Sequence, residues 1–333
     1  MEHRLKVALL TGINSPLVLT ELEPCDLQYG QVYVRMLVSG ICGAQLQEIR
    51  GDKGHHFPRL MGHEGCGIVE RIGPGVKTVK TGEKVVLHWR KGDGIESDSP
   101  RYLMPDGKQI TSGQVTTFST HSIVSENRCT AVPDDAPNQL CALLGCGLST
   151  ALGTIEQEAN LKMGESVLII GCGGLGLNLI RAARLRRAGN ITAVDTVREK
   201  ELAAISVGAT KLENQSGSNF DVVIDTSGDK NAIGWGASLL GPSGRLIMVG
   251  QPRGDVTIPN AIRMFSGDGQ TIKATQGGGF RPHIDIPRYV NLWRSGQLDV
   301  GGIVTSVINL LNINDGIALV QDGAAGRVMI DCQ

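Results

Sequence analysis

The chain predicts an α/β protein of two domains, an irregular β-barrel joined to a doubly wound parallel sheet. Three observations carry that expectation. The length, 333 residues, exceeds what one hydrophobic core organises comfortably. Near Thr150 the rhythm changes, from short β-rich runs between Gly, Pro and Asp turns to strand–helix–strand alternation. Finally, an apolar run from Ser166 to Ile170 feeds directly into Gly171-Cys-Gly173-Gly174-Leu175-Gly176.

Taken in order, the first β runs are Lys6 to Leu10, Gln31 to Val38, Gly67 to Ile72 and Lys84 to Leu87. Gly73-Pro-Gly75 and Pro133-Asp-Asp-Ala-Pro137 punctuate this part as turns. Residues 90 to 113 are polar and Gly-rich and read as a long surface loop. Beyond Thr150 the strand candidates are Val167 to Ile170, Asn190 to Val194, Asp221 to Ile224 and Gly244 to Val249. A helical segment, Leu177 to Arg187, follows the first of them. From His283 to Gln333 helix-like and strand-like pieces return.

Apolar content of 41% and charged content of 20% are ordinary for a globular chain, and 45 glycines favour strands and turns over a helical bundle. A net charge of -1 gives no footprint for nucleic acid or anionic membrane. The start, Met1 to Lys6, has neither the apolar run nor the cleavage site of a signal peptide, and no stretch is long enough to span a bilayer. The eight cysteines are scattered, so reduced thiols and a cytoplasmic location are expected.

The Gly171–Gly176 turn has a physical reading. Gly171 permits the tight turn, Gly173 lets backbone approach a pyrophosphate, and Gly176 brings helix close to strand. The helix N-terminus offers free N–H groups to phosphates. Asp195, 19 residues after Gly176 and at the end of the next strand, is placed to accept from an adenosine ribose 2′-OH. This points to NAD(H) over NADP(H), because a carboxylate there repels a 2′-phosphate. Arg198, close by in sequence, works the other way. A Gly-rich loop with a helix-capping aspartate is the plainer alternative.

Cys42, His63 and Cys146 are two soft thiolates and an imidazole, a donor set that suits zinc with a fourth position open. Their spacing is too wide for a zinc finger, so folding must gather them. The motifs Gly40-Ile-Cys42, Gly62-His63-Glu64-x-x-Gly67-x-Val69, Gly73-Pro-Gly75-Val76, Gly82-Glu-Lys-Val85, Cys146-Gly-x-Ser-Thr150 and the Gly171–Gly176 turn occur in this order. With them the chain resembles the medium-chain, zinc-dependent alcohol dehydrogenase family over nearly its full length.

The resemblance implies a GroES-like barrel domain at residues 1–149, completed by 277–333, with a Rossmann domain at 150–276 inserted between. It implies one catalytic Zn2+ on Cys42, His63 and Cys146, with Glu64 as a carboxylate able to enter the metal shell. Thr150 and Leu175 match positions against the nicotinamide, Asp195 and Lys200 match adenosine-ribose contacts, and Thr226 and Val249 match loops along the cofactor. Trp89 matches a substrate-pocket wall. The implied reaction is reversible hydride transfer between NAD(H) and a secondary alcohol or ketone, polyol and sugar-like substrates included, in a homodimer or homotetramer.

Two departures stand out. The stretch Trp89 to Val124 has no Cys, where relatives often carry a second, structural zinc, so ordinary packing is expected to hold it. After Cys42 come Ala44, Gln45 and Gln47, where relatives often have a hydroxyl, a carboxylate and a relay His. Ala44 and Gln47 carry no useful proton, and His88 or Glu64 is the candidate substitute. The plainer reading of His88 is a barrel residue with its ring bonded to backbone. His55-His56 reads as a surface loop, and Arg90-Lys91 as a solvated basic turn or an anion contact. A missing relay keeps two other readings open: a reductase of an activated C=C or imine, and a cofactor-binding protein without turnover.

Overall fold

Alternating burial organises the amino-terminal third into strands whose inward faces share cores. In chain order these are β1 (Leu5–Leu10), β2 (Leu17–Pro24), β3 (Gln31–Ile41), α1 (Gly43–Ile49), β4 (Arg59–Leu60), β5 (Glu64–Ile72), β6 (Lys84–His88), β7 (Arg101–Leu103), β8 (Gln109–Thr111), β9 (His121–Ser125) and β10 (Cys129–Ala131). Helices α2 (Asn138–Leu144) and α3 (Gly147–Gly153) follow, the latter running into a π-helical turn at Thr154–Glu158. Then come β11 (Ser166–Ile170), α4 (Gly174–Leu185), β12 (Asn190–Val194), α5 (Arg198–Ser206), β13 (Thr210–Lys211), β14 (Phe220–Asp225), α6 (Lys230–Ser238), β15 (Leu240–Met248), α7 (Ala261–Arg263) and β16 (Thr271–Ala274). The chain closes with α8 (Pro282–Arg294), β17 (Val304–Asn309), α9 (Ile313–Gln321) and β18 (Arg327–Asp331). The structure, a computed structural model, describes residues 4–333 apart from 53, 55, 212–218, 253, 260, 265–268 and 324–325.

The long strand β3 is the spine of the barrel. It pairs antiparallel with β5, β9 and β18, so carboxy-terminal strands complete a sheet begun by residues 31–41. A second sheet runs β4-β1-β2-β7-β8. The third is all parallel, in the order β13-β12-β11-β14-β15-β16. Its central strands send alternate residues to opposite faces. Val167 and Ile169 of β11 pack with Leu177 and Ile180 of α4, while Leu168 and Ile170 pack with Ile233 and Ala237 of α6. The first of these cores continues through α2 and α3 to Cys66 and Val86 of the barrel. These features are the GroES-like and Rossmann architectures that the sequence implied.

Two local expectations need correction. Residues 90–113 are not a structureless loop, since β7 and β8 pair across Arg101↔Thr111 to Leu103↔Gln109. The parallel sheet has β13 and β16 in addition to the four expected strands. All of these strands are short, and β16 is exposed at every residue, so no hydrophobic alternation marks them.

Among the described residues no single helix is long and apolar enough to cross a membrane. The bent pair Asn138–Leu144 and Gly147–Glu158 matches a span in length and composition, and its α2 and α3 residues lie in the main core.

Candidate metal and cofactor site

Three remote segments bring the donors together. Cys42 follows β3 and is the N-cap of α1, and Cys146 is the N-cap of α3. His63 lies just before β5, after Gly62, whose φ of +90° and close approach to Thr117 and Phe118 admit only glycine. The ligand atoms of Cys42, His63 and Cys146 all lie within 4.8 Å of one another. Two thiols and an imidazole gathered this closely fit zinc. The Cys42 thiol is pulled well below its usual pKa, first by a hydrogen bond from Cys146, against the opposing effect of burial, and further by the charge of Arg327. A thiolate is the form a metal needs.

Glu64, expected as a fourth ligand, stands outside this cluster. Its carboxylate is fully buried and pairs with the Arg327 guanidinium at 3.2 Å, and Gly147 N–H donates to its Oε2 at 3.3 Å. Burial pushes this carboxyl up and Arg327 pulls it back. Burial also opposes the Arg327 charge, but Glu64 and the neighbouring thiols outweigh it. Arg327 Nη1 also donates to Ile41 O at 3.0 Å. Sequence reasoning missed Arg327. Its signal was a single charged residue opening the apolar strand Val328-Met-Ile330.

Gln45, in the first turn of α1, bridges two of the ligands. Its Oε1 accepts from Cys42 N–H at 3.0 Å and its Nε2 is in hydrogen-bond contact with His63 Nδ1.

A cleft of about 560 Å³ opens beside Cys42. One wall is α1 and its C-cap, with Ala44, Gln47 and Arg50. The other carries Gly171, Gly173, Gly174, Leu175, Asp195, Lys200, Thr226 and Val249, and Arg327 lies on the lining as well. Gly171 has φ +93°, and a Cβ there would meet Thr226 Oγ1 at 2.5 Å. Gly173, the N-cap of α4, faces open space. A Cβ on Gly176 would stand 2.0 Å from Gly171 O, so this glycine serves helix–strand packing away from the lining. Asp195 Oδ2 accepts from Cys172 N–H at 2.7 Å and its Oδ1 from Val197 N–H at 2.9 Å. The carboxylate thus also holds the Gly-rich turn in shape. Buried Asp225 ties the loops after β14 and β15, accepting from Ser227 and Gly228 through its side chain and from Val249 and Gly250 through its carbonyl.

Other expected residues fall elsewhere. Thr150 is buried in α3 with its carbonyl against Gly278, off the cleft lining. The His88 ring does not serve the cleft: Nδ1 bonds Arg90 O at 2.7 Å and Nε2 bonds Thr130 Oγ1 at 2.9 Å. Full burial drops its pKa to about 3, so the relay role expected for it is corrected to that of a barrel residue. The ring bonds to Thr130 on β10, the strand beside its own. Trp89 rests against Gly277, and Arg90 donates to Gln276 O at 3.0 Å. His56 is exposed, while His55 lies outside the described residues.

Residues 28–134 match the alcohol dehydrogenase GroES-like domain family. Alcohol dehydrogenase 6 of Peromyscus maniculatus is 27% identical, the alignment covering 98% of this chain and 97% of that protein. S-(hydroxymethyl)glutathione dehydrogenase of Escherichia coli is 27% identical over 99% of this chain and 100% of its own. In fold, the benzyl alcohol dehydrogenase of Acinetobacter calcoaceticus superposes with a TM-score of 0.89 at 22% identity, covering 99% of this chain and 100% of that one. A zinc-binding-domain alcohol dehydrogenase protein of Burkholderia ambifaria superposes at 0.91 with 23% identity, covering 99% of both. Fold, donor set and relatives together define an oxidoreductase of the alcohol–ketone class. Over nearly its full length the chain is similar to zinc-type medium-chain alcohol dehydrogenases, and residues 28–134 carry their GroES-like domain.

Proposed function

We propose that this protein catalyses reversible NAD-linked hydride transfer between a secondary alcohol and its ketone, with polyol or sugar-like compounds as the first substrates to try. The observation that carries the reading is convergence. Cys42, from the candidate zinc cluster, and the Gly171–Leu175 turn line the same cleft.

When bound, zinc supplies a Lewis acid that polarises a substrate oxygen. Bound nicotinamide supplies the hydride acceptor or donor. The chain's own residues do the rest. Cys42, His63 and Cys146 would hold the metal. The N–H groups at the start of α4 and the Arg327 charge, both on the cleft lining, would receive the phosphates. Asp195 uses one lone pair on each oxygen for backbone, leaving others for a ribose hydroxyl. Leu175 and Val249 present apolar surface to the cofactor, and Thr226 and Lys200 line its path. No side chain of α1 on the cleft lining, Ala44 and Gln47 included, is an acid or base that exchanges a proton near neutral pH. Proton exchange then runs through water. That same gap favours the second reading, reduction of an activated C=C or imine.

Zinc-loaded protein is offered secondary alcohols and polyols with NAD+ or NADP+, and nicotinamide absorbance is followed. NADH should form in preference to NADPH, and Cys146→Ser should lower turnover by about 10³-fold. Preference for NADP+ sinks the role given to Asp195. In the reductive direction, deuterated cofactor separates the two chemistries by the position of the label. Assembly as a homodimer or homotetramer belongs to the same proposal and is supported by the fully exposed edge strand β16; light scattering decides it.

A further inference from the structure

We infer that Gln45 sets a threshold against zinc loading, by fixing His63 in the tautomer whose cluster-facing nitrogen carries the proton. The inference rests on the zinc reading of Cys42, His63 and Cys146. Gln45 is 1% exposed, so water does not reach in to repair a mismatch. Its amide has two unlike ends, an oxygen that accepts and a nitrogen that only donates. Cys42 N–H can only donate, and it takes Oε1 at 3.0 Å. That leaves Nε2 toward His63 Nδ1. The ring nitrogen facing an amide donor must accept, so the neutral imidazole carries its hydrogen on Nε2.

With Nδ1 engaged by Gln45, Nε2 is the nitrogen left for the cluster. A nitrogen that bears hydrogen has no lone pair for a metal. Loading therefore needs the other tautomer, with the hydrogen on Nδ1. The Gln45 amide then opposes it in either orientation. Left as it is, –NH2 meets Nδ1–H, and reversed, –NH2 meets Cys42 N–H. Metal-binding histidines generally donate their other N–H to a carboxylate or carbonyl. A glutamate at position 45 would accept from both neighbours at the same length. The amide thus makes zinc occupancy depend on supply, where a carboxylate would make it near-permanent.

The test is the zinc dissociation constant of the full chain, from competition with a chromophoric chelator, for wild type, Gln45→Glu and Gln45→Met, with Cys146→Ser as the baseline. Gln45→Glu should bind zinc about 10- to 100-fold tighter. Gln45→Met removes the donor opposing Nδ1 and should bind at least as tightly as wild type. It also keeps the test alive if the charged variant fails to fold. Weaker binding by Gln45→Met, or equal binding by all three proteins, overturns the inference and leaves the zinc site intact. No zinc in any of them removes the metal reading itself, and the inference with it. Nitrogen NMR of the metal-free protein gives a second readout: protonated Nε2 on His63 is expected, and protonated Nδ1 overturns the assignment.

Discussion

Glu64 and Glu126 are both buried carboxylates in the barrel half of the chain, and their surroundings are opposites. Glu126 is 1% exposed and fully engaged. Its Oε1 accepts from Lys77 N–H at 2.6 Å, Thr78 N–H at 2.8 Å and the Thr78 hydroxyl at 3.0 Å, and its Oε2 from Ile95 N–H at 2.7 Å. Burial alone would raise this carboxyl, but those donors outweigh it and hold it below the usual range. Around Glu64, by contrast, three buried polar atoms lack a hydrogen-bond partner: Glu64 Oε1, Arg327 Nε and Asn178 Oδ1. Arg327 stands at ion-pair distance from Glu64 without hydrogen-bond geometry. Unpaired buried groups cost about 1–3 kcal/mol each and persist where something else compensates. The satisfied centre is a structural clasp. The open one lies between the metal donors and the cofactor cleft, where a ligand can complete it. The clasp also changes how the cysteine-free stretch from Trp89 to Val124 is understood, since a polar hub gathers it and not apolar packing alone.

Arg327→Met tests the open centre and should have the largest effect on stability. It leaves the Glu64 carboxylate buried beside two thiols, for a loss of about 3–5 kcal/mol read from the urea midpoint. Wild-type melting temperature should rise on adding NAD+, and the variant's rise should be smaller because the cleft has lost a positive charge. If Arg327→Met matches wild type in both measurements, the ion pair is not what supports the buried Glu64, and the contrast with Glu126 collapses.

How far this contrast could be read from the sequence differs residue by residue. Gly171 and Gly176 were legible because a tight strand-to-helix turn leaves little choice of residue there, and Gly173 as the third glycine of the same motif. Cys42, His63 and Cys146 were legible as donor types in familiar motifs, though only folding shows them within 4.8 Å. Gln45 was visible as a departure, but which amide end meets His63 is a matter of side-chain geometry. For His88 the sequence left a relay and a barrel residue both open, and only the bonds of its ring to Arg90 O and Thr130 Oγ1 decide for the second. Glu126 was not legible at all, and Arg327 showed only as a lone charge opening an apolar strand. Each acts through partners far away in sequence, Arg327 through Glu64 and Glu126 through Lys77, Thr78 and Ile95.

Glu126→Gln tests the clasp. It turns one acceptor oxygen into a donor facing N–H groups, at about 2–3 kcal/mol, while zinc content stays that of wild type. The pH dependence has a definite sign. The folded-state pKa of Glu126 lies below the unfolded value of about 4.3, so its contribution is complete above that pH. It is lost as pH falls through the folded value. The gap between wild type and Glu126→Gln in urea should therefore be widest near neutrality and close in acid. A gap that is constant with pH would mean that shape, not charge, makes the clasp.

Glu96→Gln should have the smallest effect, and it decides whether the clasp is one residue or a network. Glu96 sits at the rim with its side chain 34% exposed. Its Oε1 accepts from Arg128 Nη2 at 3.0 Å and its Oε2 from Asn127 Nδ2 at 3.2 Å, and Lys91 Nζ stands 2.5 Å from it. Water and salt screen these pairs, so the loss expected in the same urea experiment is about 1 kcal/mol or less, shrinking further in high salt. It should not reach zero, because the Arg128 side chain is only 8% exposed and faces a neutral amide in place of a carboxylate, keeping Asn127 Oδ1 at 3.2 Å. If Glu96→Gln instead costs as much as Glu126→Gln, the two carboxylates act as a unit, and the double variant should then cost no more than either single one.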